Sequence, residues 1–363
     1  KGKKEEIDYL AIDDIRLVTK YDGKILDPSV KQKSNIAANN LSENYKKVDE
    51  ILDHANEIYF IIGVHTPGKY LSAVPGTAHE VQRLFGKDEL KKDRKRILCG
   101  PVTAGGSQLF GGKKVEEYNK EFFNETIDIN KIDYPELAAA SVAGAEIVEQ
   151  IDDLRIVEIE TGRGCQRKHG CSFCLEPLKN KEEYRKRKDI VSEIKEFYDK
   201  GARDFRLGKQ SCIYKVPEIA ELLQEIRKKF PGLRTLHIDN VNPINVVDDE
   251  RNNAARVTKA IIKNCSSGNV AAFGIESFDP VVVKENNLNS KPAIAFEAIK
   301  ILNRYGAERG ENGMPKLLPG LNIILGLKGE TRHTHEENMR WLKRIIDEKL
   351  MLRRINIRTV IPY

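Results

Sequence analysis

From residue 154 onward, short apolar runs alternate with longer segments of helical spacing, and this alternation constrains the fold more than any other feature. Segments between the runs, such as VPEIAELLQEIRKKFPG, repeat apolar residues with the helical period. Strands that alternate with helices form a parallel sheet, and eight such repeats would close a barrel. Six repeats therefore predict a partial (β/α)6 barrel over residues 151–363. The six predicted strands are LRIVEIE, DFRLGKQ, RTLHIDN, VAAFGIES, LNIILGL and RRINIRTVI.

The first 150 residues show the same alternation on a smaller scale, and an Ala-rich segment separates them from the barrel. Their apolar runs and capping residues predict an N-terminal Rossmann-like parallel α/β domain over residues 1–150. The whole chain is thus expected to have an α/β fold. The strands are predicted in IDYLAIDDIR, IYFIIGVHTPG and RILCGPVTAGG, and the helices in LSENYKKVDEILDHANE and TAHEVQRLFG.

Three of the six cysteines, Cys165, Cys171 and Cys174, lie within ten residues in the segment TGRGCQRKHGCSFCLEP. This segment follows the first strand of the predicted barrel. The sequence has no apolar run long enough to span a bilayer, and its charged start, KGKKEEIDYL, is no signal peptide. We therefore predict a cytoplasmic protein with no membrane partner. Thiols stay reduced in that compartment, so clustered cysteines there are candidate metal ligands.

The cysteine segment allows more than one kind of metal site. A structural zinc ion requires four ligands, and His169 is the available fourth. However, zinc-type cysteine pairs usually come as two separated knuckles, and the sequence has no second Cys-x-x-Cys. Three thiolates can instead hold three irons of a cubane cluster and leave the fourth iron open. Gly162, Gly164 and Gly170 would let the backbone approach the sulfurs, and Phe173 would screen the cluster from solvent.

The triad that ends Cys171, Phe173, Cys174 resembles the Cys-x-aromatic-Cys signature of the radical S-adenosylmethionine (radical SAM) superfamily. Five residues separate Cys165 from Cys171, whereas the commonest superfamily spacing is three. The resemblance implies a [4Fe-4S] cluster held by the three cysteines, with S-adenosylmethionine on the open iron. It further implies reductive cleavage to a 5′-deoxyadenosyl radical, hydrogen abstraction from a substrate, and an external electron donor of the ferredoxin or flavodoxin type.

Further segments resemble the strand ends that contact S-adenosylmethionine in this superfamily. The fourth-strand segment GIES implies ribose contacts, and the fifth-strand segment NIILGLKGET implies adenine contacts. At the end of the second strand, FRLGKQ offers two cations for the methionine carboxylate. Both glutamates in these segments have a second interpretation, which is to cap the following helix. Besides Phe173, the implied cofactor-binding residues are Arg206, Lys209, Gly274, Glu276, Ser277, Ile324, Gly326 and Glu330.

Segments in both halves of the chain, such as CGPVTAGGSQL and RRINIRTVIP, together resemble an uncharacterised, mainly archaeal group. Its members have a Rossmann-type, cobalamin-binding-like N-terminal domain, and longer members add a C-terminal helix-hairpin-helix. The resemblance implies that the N-terminal domain here lacks its first strand. Cobalamin is a candidate cofactor that no histidine motif supports, because the Asp-x-His-x-x-Gly element is absent. His65 and His79 are interpreted as ordinary loop or surface residues.

One further residue is a weak candidate for catalysis. Cys212 follows the second strand and could donate hydrogen at the barrel mouth, although a buried structural cysteine is the commoner case. Three functions remain open. The first is a radical enzyme acting on a macromolecule, either RNA or protein. The others are a cobalamin-assisted methyltransferase and a non-catalytic nucleic-acid-binding iron–sulfur protein. The net charge of +6 is mild, and basic runs such as YRKRK are typical of solvated surfaces.

Overall fold

The computed structural model divides into two compact units, Lys1–Arg155 and Ile156–Tyr363. No helix in the described part of the chain is both long and apolar enough to cross a membrane. The structure describes residues 6–21, 41–63, 76–85, 94–104, 118–128, 131–152, 154, 156–167, 169–248 and 253–360.

The first unit contains a small parallel sheet with helices. Its α-helices and strands in chain order are α1 (Ile12–Tyr21), α2 (Val48–His54), β1 (Glu57–Ile61), α3 (Ala78–Phe85), β2 (Lys95–Cys99), β3 (Glu125–Thr126) and α4 (Tyr134–Gly144). Short 3-10 helices are found at Tyr45–Lys47, Pro101–Ala104, Lys120–Phe122 and Ala145–Gln150.

The three strands of the first unit pair in the order β1-β2-β3, and both pairs are parallel. Phe60 on β1 and Leu98 on β2 are buried on one face of this sheet. The Phe60 ring meets that of Phe85, on α3, edge to face at 5.0 Å, and Phe123 completes the apolar contact at 5.7 Å. Apolar burial of this kind is the main stabilising contribution to such a small domain.

One sequence prediction for this unit is wrong, because IDYLAIDDIR contains the first turns of helix α1 and not a strand. Asp13 and Asp14 occupy the first turn of α1, where acidic side chains favour a helix. The Ala11 N–H donates to Asp14 Oδ2 at 2.6 Å and caps the start. Arg16 is fully buried and pairs with Asp13 at 2.8 Å and with Glu80, on α3, at 2.7 Å. These ion pairs need the helical spacing, which the apolar pattern alone did not show.

The second unit alternates strands and helices along its whole length, as the sequence predicts. Its elements are β4 (Val157–Glu160), β5 (Gly162–Arg163), α5 (Glu176–Lys179), β6 (Glu183–Tyr184), α6 (Arg187–Asp199), β7 (Asp204–Gly208), α7 (Ile219–Lys229), β8 (Thr235–Ile238), β9 (Asn240–Val241), α8 (Pro243–Val247), α9 (Asn253–Asn264), β10 (Asn269–Glu276), α10 (Pro280–Glu285), α11 (Pro292–Gly306), β11 (Leu317–Leu325), α12 (Arg332–Asp347) and β12 (Arg354–Thr359). A 3-10 turn lies at Ile213–Lys215.

The barrel strands pair in parallel in the orders β4-β7-β8 and β9-β10-β11-β12. Asp239 separates β8 from β9, so these two short strands are parts of one interrupted third strand. The result is six parallel strand positions with helices between them, which confirms the partial (β/α)6 barrel. The fold is mixed α/β with parallel sheets in both units.

Side chains alternate between the two faces of each barrel strand. One face is apolar and buried, and it includes Ile159, Phe205 and Leu207. On the opposite face, Arg206 on β7 lies between Glu158 on β4 and Asp239. Strands β4 and β7 therefore have one buried apolar face and one polar face that carries ion pairs. The loop after β4 carries the cysteines. Other candidate residues lie on the strands themselves or directly after them; those on strands are Arg206, Gly274, Glu276 and Ile324.

Candidate functional site

The cysteine loop begins at the carboxyl end of β4 and is fixed there by buried hydrogen bonds. The Thr161 N–H donates to Gly208 O at 3.1 Å. Its hydroxyl donates to Gln210 Oε1 at 2.9 Å, and its carbonyl accepts from the Arg185 N–H at 3.0 Å. Both Thr161 and Gln210 are fully buried. The loop therefore leaves the sheet from a rigid position next to the end of β7.

Two glycines in the loop have backbone conformations that other residues rarely adopt. Gly164 has φ +79°, and a Cβ there would lie 2.3 Å from Lys181 O. Gly170 has φ +44°, and a Cβ there would lie 2.5 Å from Pro177 Cγ. The Gly164 N–H donates to Glu176 Oε1 at 2.8 Å. These glycines let the loop pack against the segment that follows it, which is a further reason for their presence.

Cys165, Cys171 and Cys174 are all half-buried free thiols. The Cys174 N–H donates to Cys171 O at 3.0 Å, so the last two cysteines share one turn. Burial raises the pKa of Cys171 to about 11; Arg167 opposes the shift, and Cys174 and Glu276 add to it. Burial also raises the pKa of Cys174, with Cys165 and Glu276 among the further contributions. The raised pKa values favour the protonated form of the Cys171 and Cys174 thiols, and a bound metal would favour their deprotonation.

The donor set of the loop fits an iron–sulfur cluster. Among the described residues, no three His, Cys, Asp or Glu side chains are arranged to hold a single metal ion. A cubane cluster has a different requirement, because each thiolate binds a different iron. His169, the fourth ligand that a zinc site would need, is exposed. Three thiols on one loop, with a hydrogen-bond donor on one sulfur, therefore suit a cluster.

A small apolar group lies beside the cysteines and joins three strand ends. Phe173 and Cys171 of the loop pack against a buried group formed by Val282 on α10, Leu288 in the segment after it and Leu327 after β11. Ile324, near the end of β11, packs on the same group. The structure therefore brings Phe173 and Ile324 together beside the cysteine loop. The full set is Val282, Leu288 and Leu327, with Cys171, Phe173, Val283, Ile324 and Val360 packed against them.

Glu276, at the end of β10, has a carboxylate oxygen without a partner in the described chain. Its Oε2 is buried and accepts no hydrogen bond. Its backbone has φ +62°, which is strained for a non-glycine residue. Burial raises the pKa of Glu276 to about 8, and Arg358 opposes the shift. Glu276 does not cap the next helix, since Asp279 accepts from the Val281 N–H at 2.8 Å.

The two neighbours of Glu276 in the predicted ribose segment have different surroundings. Gly274 leaves room for the Glu276 carboxylate, because a Cβ on Gly274 would lie 2.9 Å from Glu276 Oε1. Ser277 is buried, and its hydroxyl accepts from the Asp279 N–H at 3.1 Å. Ser277 thus orders the turn into α10.

Glu330 closes the loop after β11. Its Oε2 accepts from the Gly326 N–H at 2.6 Å and from the Leu327 N–H at 3.2 Å. Gly326 has φ +85°, which the tight turn requires. Glu330 therefore shapes the predicted adenine segment, and its proposed contact with the nucleoside stays a prediction.

The two cations predicted for the methionine carboxylate both lie in ion pairs. Arg206 Nη2 lies 3.1 Å from Asp239 Oδ2 and 3.5 Å from Glu158 Oε1. Lys209, in the turn after β7 with φ +70°, lies 3.0 Å from Glu160. Their charges are balanced by these acidic partners, so carboxylate binding by either residue stays a prediction.

Cys212, the weak catalytic candidate, is buried behind the second strand. Its sulfur accepts from the Asn242 N–H and from Asn245 Nδ2, both at 3.3 Å. Burial raises the pKa of the Cys212 thiol. This position favours the structural interpretation. His79 is exposed on α3, and His65 lies outside the described residues.

Sequence reasoning missed three residues that contact the cysteine loop. Asn286 and Asn287 follow α10 and hydrogen-bond to Ser172 and Gly170, respectively. Arg167 donates to the Cys171 sulfur at 3.3 Å. No local pattern marks the two asparagines, since their partners lie more than 100 residues away in the sequence.

Comparison with known proteins places these features in a wider group. A family model described as the Radical SAM superfamily matches residues 159–342, just over half of the chain. An uncharacterised protein of Methanocaldococcus jannaschii is 41% identical, and the match covers 86% of this chain and 64% of that protein. An uncharacterised protein of Archaeoglobus fulgidus is 37% identical, with coverage of 83% and 58%. The chain thus spans less than two thirds of the length of these relatives.

Among solved structures, the chain is similar to the radical S-adenosylmethionine methyltransferase TsrM from Kitasatospora setae. The structure of TsrM with tryptophan and a SAM analogue matches with a TM-score of 0.55 at 11% identity, covering 87% of this chain and 65% of that one. TsrM with cobalamin and a [4Fe-4S] cluster matches with a TM-score of 0.52 at 10% identity, covering 87% and 64%. At such low identity the likeness shows a shared fold.

Proposed function

Because the chain belongs to the radical SAM superfamily, we propose that it binds a 4Fe–4S cluster through Cys165, Cys171 and Cys174 and cleaves S-adenosylmethionine reductively. When bound, the cluster and S-adenosylmethionine together supply a 5′-deoxyadenosyl radical that abstracts hydrogen from a substrate. The observation that carries this proposal is the set of three half-buried thiols on one loop at the carboxyl end of β4. Three ligands leave one iron open for a small molecule.

Residues at three strand ends are suited to S-adenosylmethionine. The unpartnered Oε2 of Glu276 is available to accept a hydrogen bond from a hydroxyl or ammonium group. Ile324 and Phe173, on the same apolar group, offer a dry wall for a nucleoside. Gly326 and Glu330 shape the loop beside it. The backbone of Gly274 leaves the approach to Glu276 open, and Ser277 orders the turn that follows.

The ion pairs of the polar strand face concern the methionine part of S-adenosylmethionine and not its nucleoside. Arg206 and Lys209 remain candidates for the methionine carboxylate, and they would exchange a protein carboxylate for that of the ligand. Cys212 stays a weak catalytic candidate, since its sulfur already accepts two hydrogen bonds.

We extend the proposal to a macromolecular substrate, RNA or protein. The net charge of +6 is mild for a chain of this length, and a polyanionic partner such as RNA is compatible with it. The electron would come from an external donor of the ferredoxin or flavodoxin type. The proposal places the protein in the cytoplasm, where cysteine ligands stay reduced.

The test is an anaerobic assay of the protein reconstituted with iron and sulfide, supplied with S-adenosylmethionine and a strong reductant. We expect 5′-deoxyadenosine from the wild type and none from Cys174→Ala. Cys99→Ala, which removes a buried thiol from the first unit, should retain the product. A fully loaded cluster that yields no 5′-deoxyadenosine would contradict the proposal and favour a non-catalytic iron–sulfur protein.

A second candidate function is a cobalamin-assisted radical SAM methyltransferase. Its support is the shared fold with TsrM, which extends over 87% of this chain and so includes much of the first unit. The absence of an Asp-x-His-x-x-Gly element means that a histidine from that element would not ligate cobalt. Corrinoid absorbance that survives gel filtration, together with S-adenosylhomocysteine formation, would support this function. If neither signal is observed after incubation with cobalamin, this second function is contradicted.

A further inference from the structure

The segment after α10 contacts the cysteine loop through a chain of hydrogen bonds. The Ser172 N–H donates to Asn286 O at 3.0 Å, and the Ser172 hydroxyl donates to Asn286 Oδ1 at 2.8 Å. One residue later, Asn287 Nδ2 donates to Gly170 O at 2.6 Å. The loop that carries the cysteines is therefore attached to the segment that follows the fourth barrel strand and α10.

Asn287 also binds the guanidinium of Arg167. Arg167 Nη2 donates to both Asn287 O and Asn287 Oδ1, each at 2.7 Å. Asn287 has φ +49°, the left-handed conformation that asparagine tolerates better than most residues. In this conformation its carbonyl and its side chain accept from the same nitrogen, so the guanidinium has a fixed orientation.

The other terminal nitrogen of that guanidinium donates to a cysteine sulfur. Arg167 Nη1 lies 3.3 Å from Cys171 Sγ, within hydrogen-bond distance for sulfur. Hydrogen bonds to cysteine sulfurs and nearby charge are among the factors that set the reduction potential of an iron–sulfur cluster. One-electron reduction makes a cluster more negative, so an adjacent cation stabilises the reduced form more than the oxidised form.

We propose that Arg167 is a positioning residue, oriented by Asn287, whose hydrogen bond to the Cys171 sulfur raises the reduction potential of the bound cluster. The inference rests on the proposed function, because it requires the three cysteines to hold the cluster. It goes beyond that function, since it assigns to two residues the control of how readily a low-potential external reductant delivers the single electron.

The test compares midpoint potentials of the full chain, reconstituted with iron and sulfide, by redox titration followed with electron paramagnetic resonance. Arg167→Gln removes the charge and the sulfur contact. We expect its reduced fraction, relative to the oxidised one, to fall about tenfold at a fixed potential, which is a midpoint about 59 mV more negative for one electron. Arg163→Gln is the matched control, because Arg163 lies on the same loop and pairs with Glu183 at 3.0 Å. Its midpoint should stay close to that of the wild type.

Asn287→Gly provides a second variant, in case Arg167→Gln loads no cluster. Glycine adopts the same positive φ, and Asn287 is exposed, so this change removes only the side-chain contacts. We expect a smaller negative shift, because Arg167 keeps its charge but loses part of its orientation. A loaded Arg167→Gln cluster with an unchanged midpoint would overturn the inference. So would equal shifts in Arg167→Gln and Arg163→Gln, or, where Arg167→Gln stays empty, no shift in Asn287→Gly.

Failure of the inference differs from failure of the proposed function. If the wild-type cluster is reduced and yields 5′-deoxyadenosine while the variants keep its midpoint, only the role of Arg167 is wrong. If the wild type forms no reducible cluster, the proposed function and the inference both fail.

Discussion

At the scale of single residues, the cysteine loop depends on left-handed backbone conformations that glycine adopts without strain. Gly164 and Gly313 have nearly equal angles, φ +79° and φ +73°, but their surroundings differ. A Cβ on Gly164 would lie 2.3 Å from Lys181 O, whereas a Cβ on Gly313 would meet nothing within 4 Å. Alanine substitutions at these two glycines therefore separate the energetic cost of backbone strain from the cost of steric overlap.

We expect Gly313→Ala to lower the free energy of unfolding by about 1–2 kcal/mol, the cost of a left-handed residue. Gly164→Ala adds overlap with a backbone carbonyl and should cost roughly 2–5 kcal/mol in total. It should also reduce the iron bound per chain, because the loop must shift. Urea unfolding and iron analysis of both variants test this. Equal losses of stability and full iron loading in both would show that the close approach at Gly164 is unimportant.

Glu276 provides a prediction about pH. Burial raises its pKa from 4.5 to about 8 in the folded chain. Between these values the unfolded chain has lost the proton and the folded chain has kept it. The contribution of Glu276 to the free energy of unfolding therefore falls as pH rises from about 4.5 to about 8.

Glu276→Gln removes this dependence, because an amide does not titrate. In the apo protein, we expect the variant to gain roughly 3 kcal/mol over the wild type between pH 5 and pH 8. Denaturant unfolding at the two pH values measures the gain. Glu297→Gln, on the half-exposed outer side of α11, is the control and should follow the wild type. If the variant and the wild type change in parallel with pH, the Glu276 carboxyl is not buried as described.

The candidate site could be predicted from the sequence where its residues are close together along the chain. Cys165, Cys171 and Cys174 lie within ten residues, so their spacing alone indicates a shared ligand. Asn286 lies 114 residues from Ser172, and only the fold brings them together. Long-range hydrogen bonds of this kind leave no periodic pattern in a single sequence.

At the scale of elements, the strand–helix alternation located all six barrel strands, because short runs with buried apolar residues recur between segments of helical period. The prediction was wrong at α1, where helix formation depends on the buried ion pairs of Arg16. It also did not foresee the interruption of the third strand at Asp239. That residue pairs with Arg206 on the neighbouring strand, a tertiary contact.

Asn286, directly after α10, joins two loops that both border the candidate site. Besides its contacts with Ser172, its Nδ2 donates to Lys328 O at 2.7 Å, and its Oδ1 accepts from the Lys328 N–H at 3.2 Å. The side chain is buried, so removing it leaves polar groups of both loops without partners. The loops after β4 and β11 therefore depend on the same residue.

We expect Asn286→Ala to lower the free energy of unfolding by roughly 2–4 kcal/mol. Hydrogen exchange at the Lys328 amide should accelerate because its acceptor, Asn286 Oδ1, is removed. Exchange at the Ser172 amide should accelerate with it, because the Ser172 hydroxyl loses the same acceptor and only the backbone bond to Asn286 O still holds the loop there. Asn303→Ala is the matched control: Asn303 joins α11 to the loop before β12 through Met351, with bonds of 3.1 and 2.7 Å. It should leave exchange at Ser172 and Lys328 unchanged. Faster exchange at only one of these amides would show that Asn286 does not join the two loops.

At the scale of the whole molecule, we expect cluster loading to stabilise the two compact units to different extents. All three candidate cluster ligands lie in the second unit, Ile156–Tyr363. A ligand that binds only the folded form stabilises what it binds. Burial raises the pKa of the Cys171 thiol to about 11, so the apo loop is neutral there and cluster formation must release the proton. Loading should therefore be favoured by higher pH as well as by iron and sulfide.

The single tryptophan, Trp341, reports on the second unit alone. Its ring stacks on Phe278, which follows β10, at 5.8 Å. We expect reconstitution with iron and sulfide to raise the denaturant midpoint of the Trp341 emission shift. Hydrogen exchange at Leu98, in the core of the first unit, should stay unchanged because that unit holds none of the three ligands. Cys174→Ala should abolish the shift in midpoint. A shift that persists in Cys174→Ala would mean that iron binds elsewhere, because that variant lacks one of the three thiolates that the cluster requires.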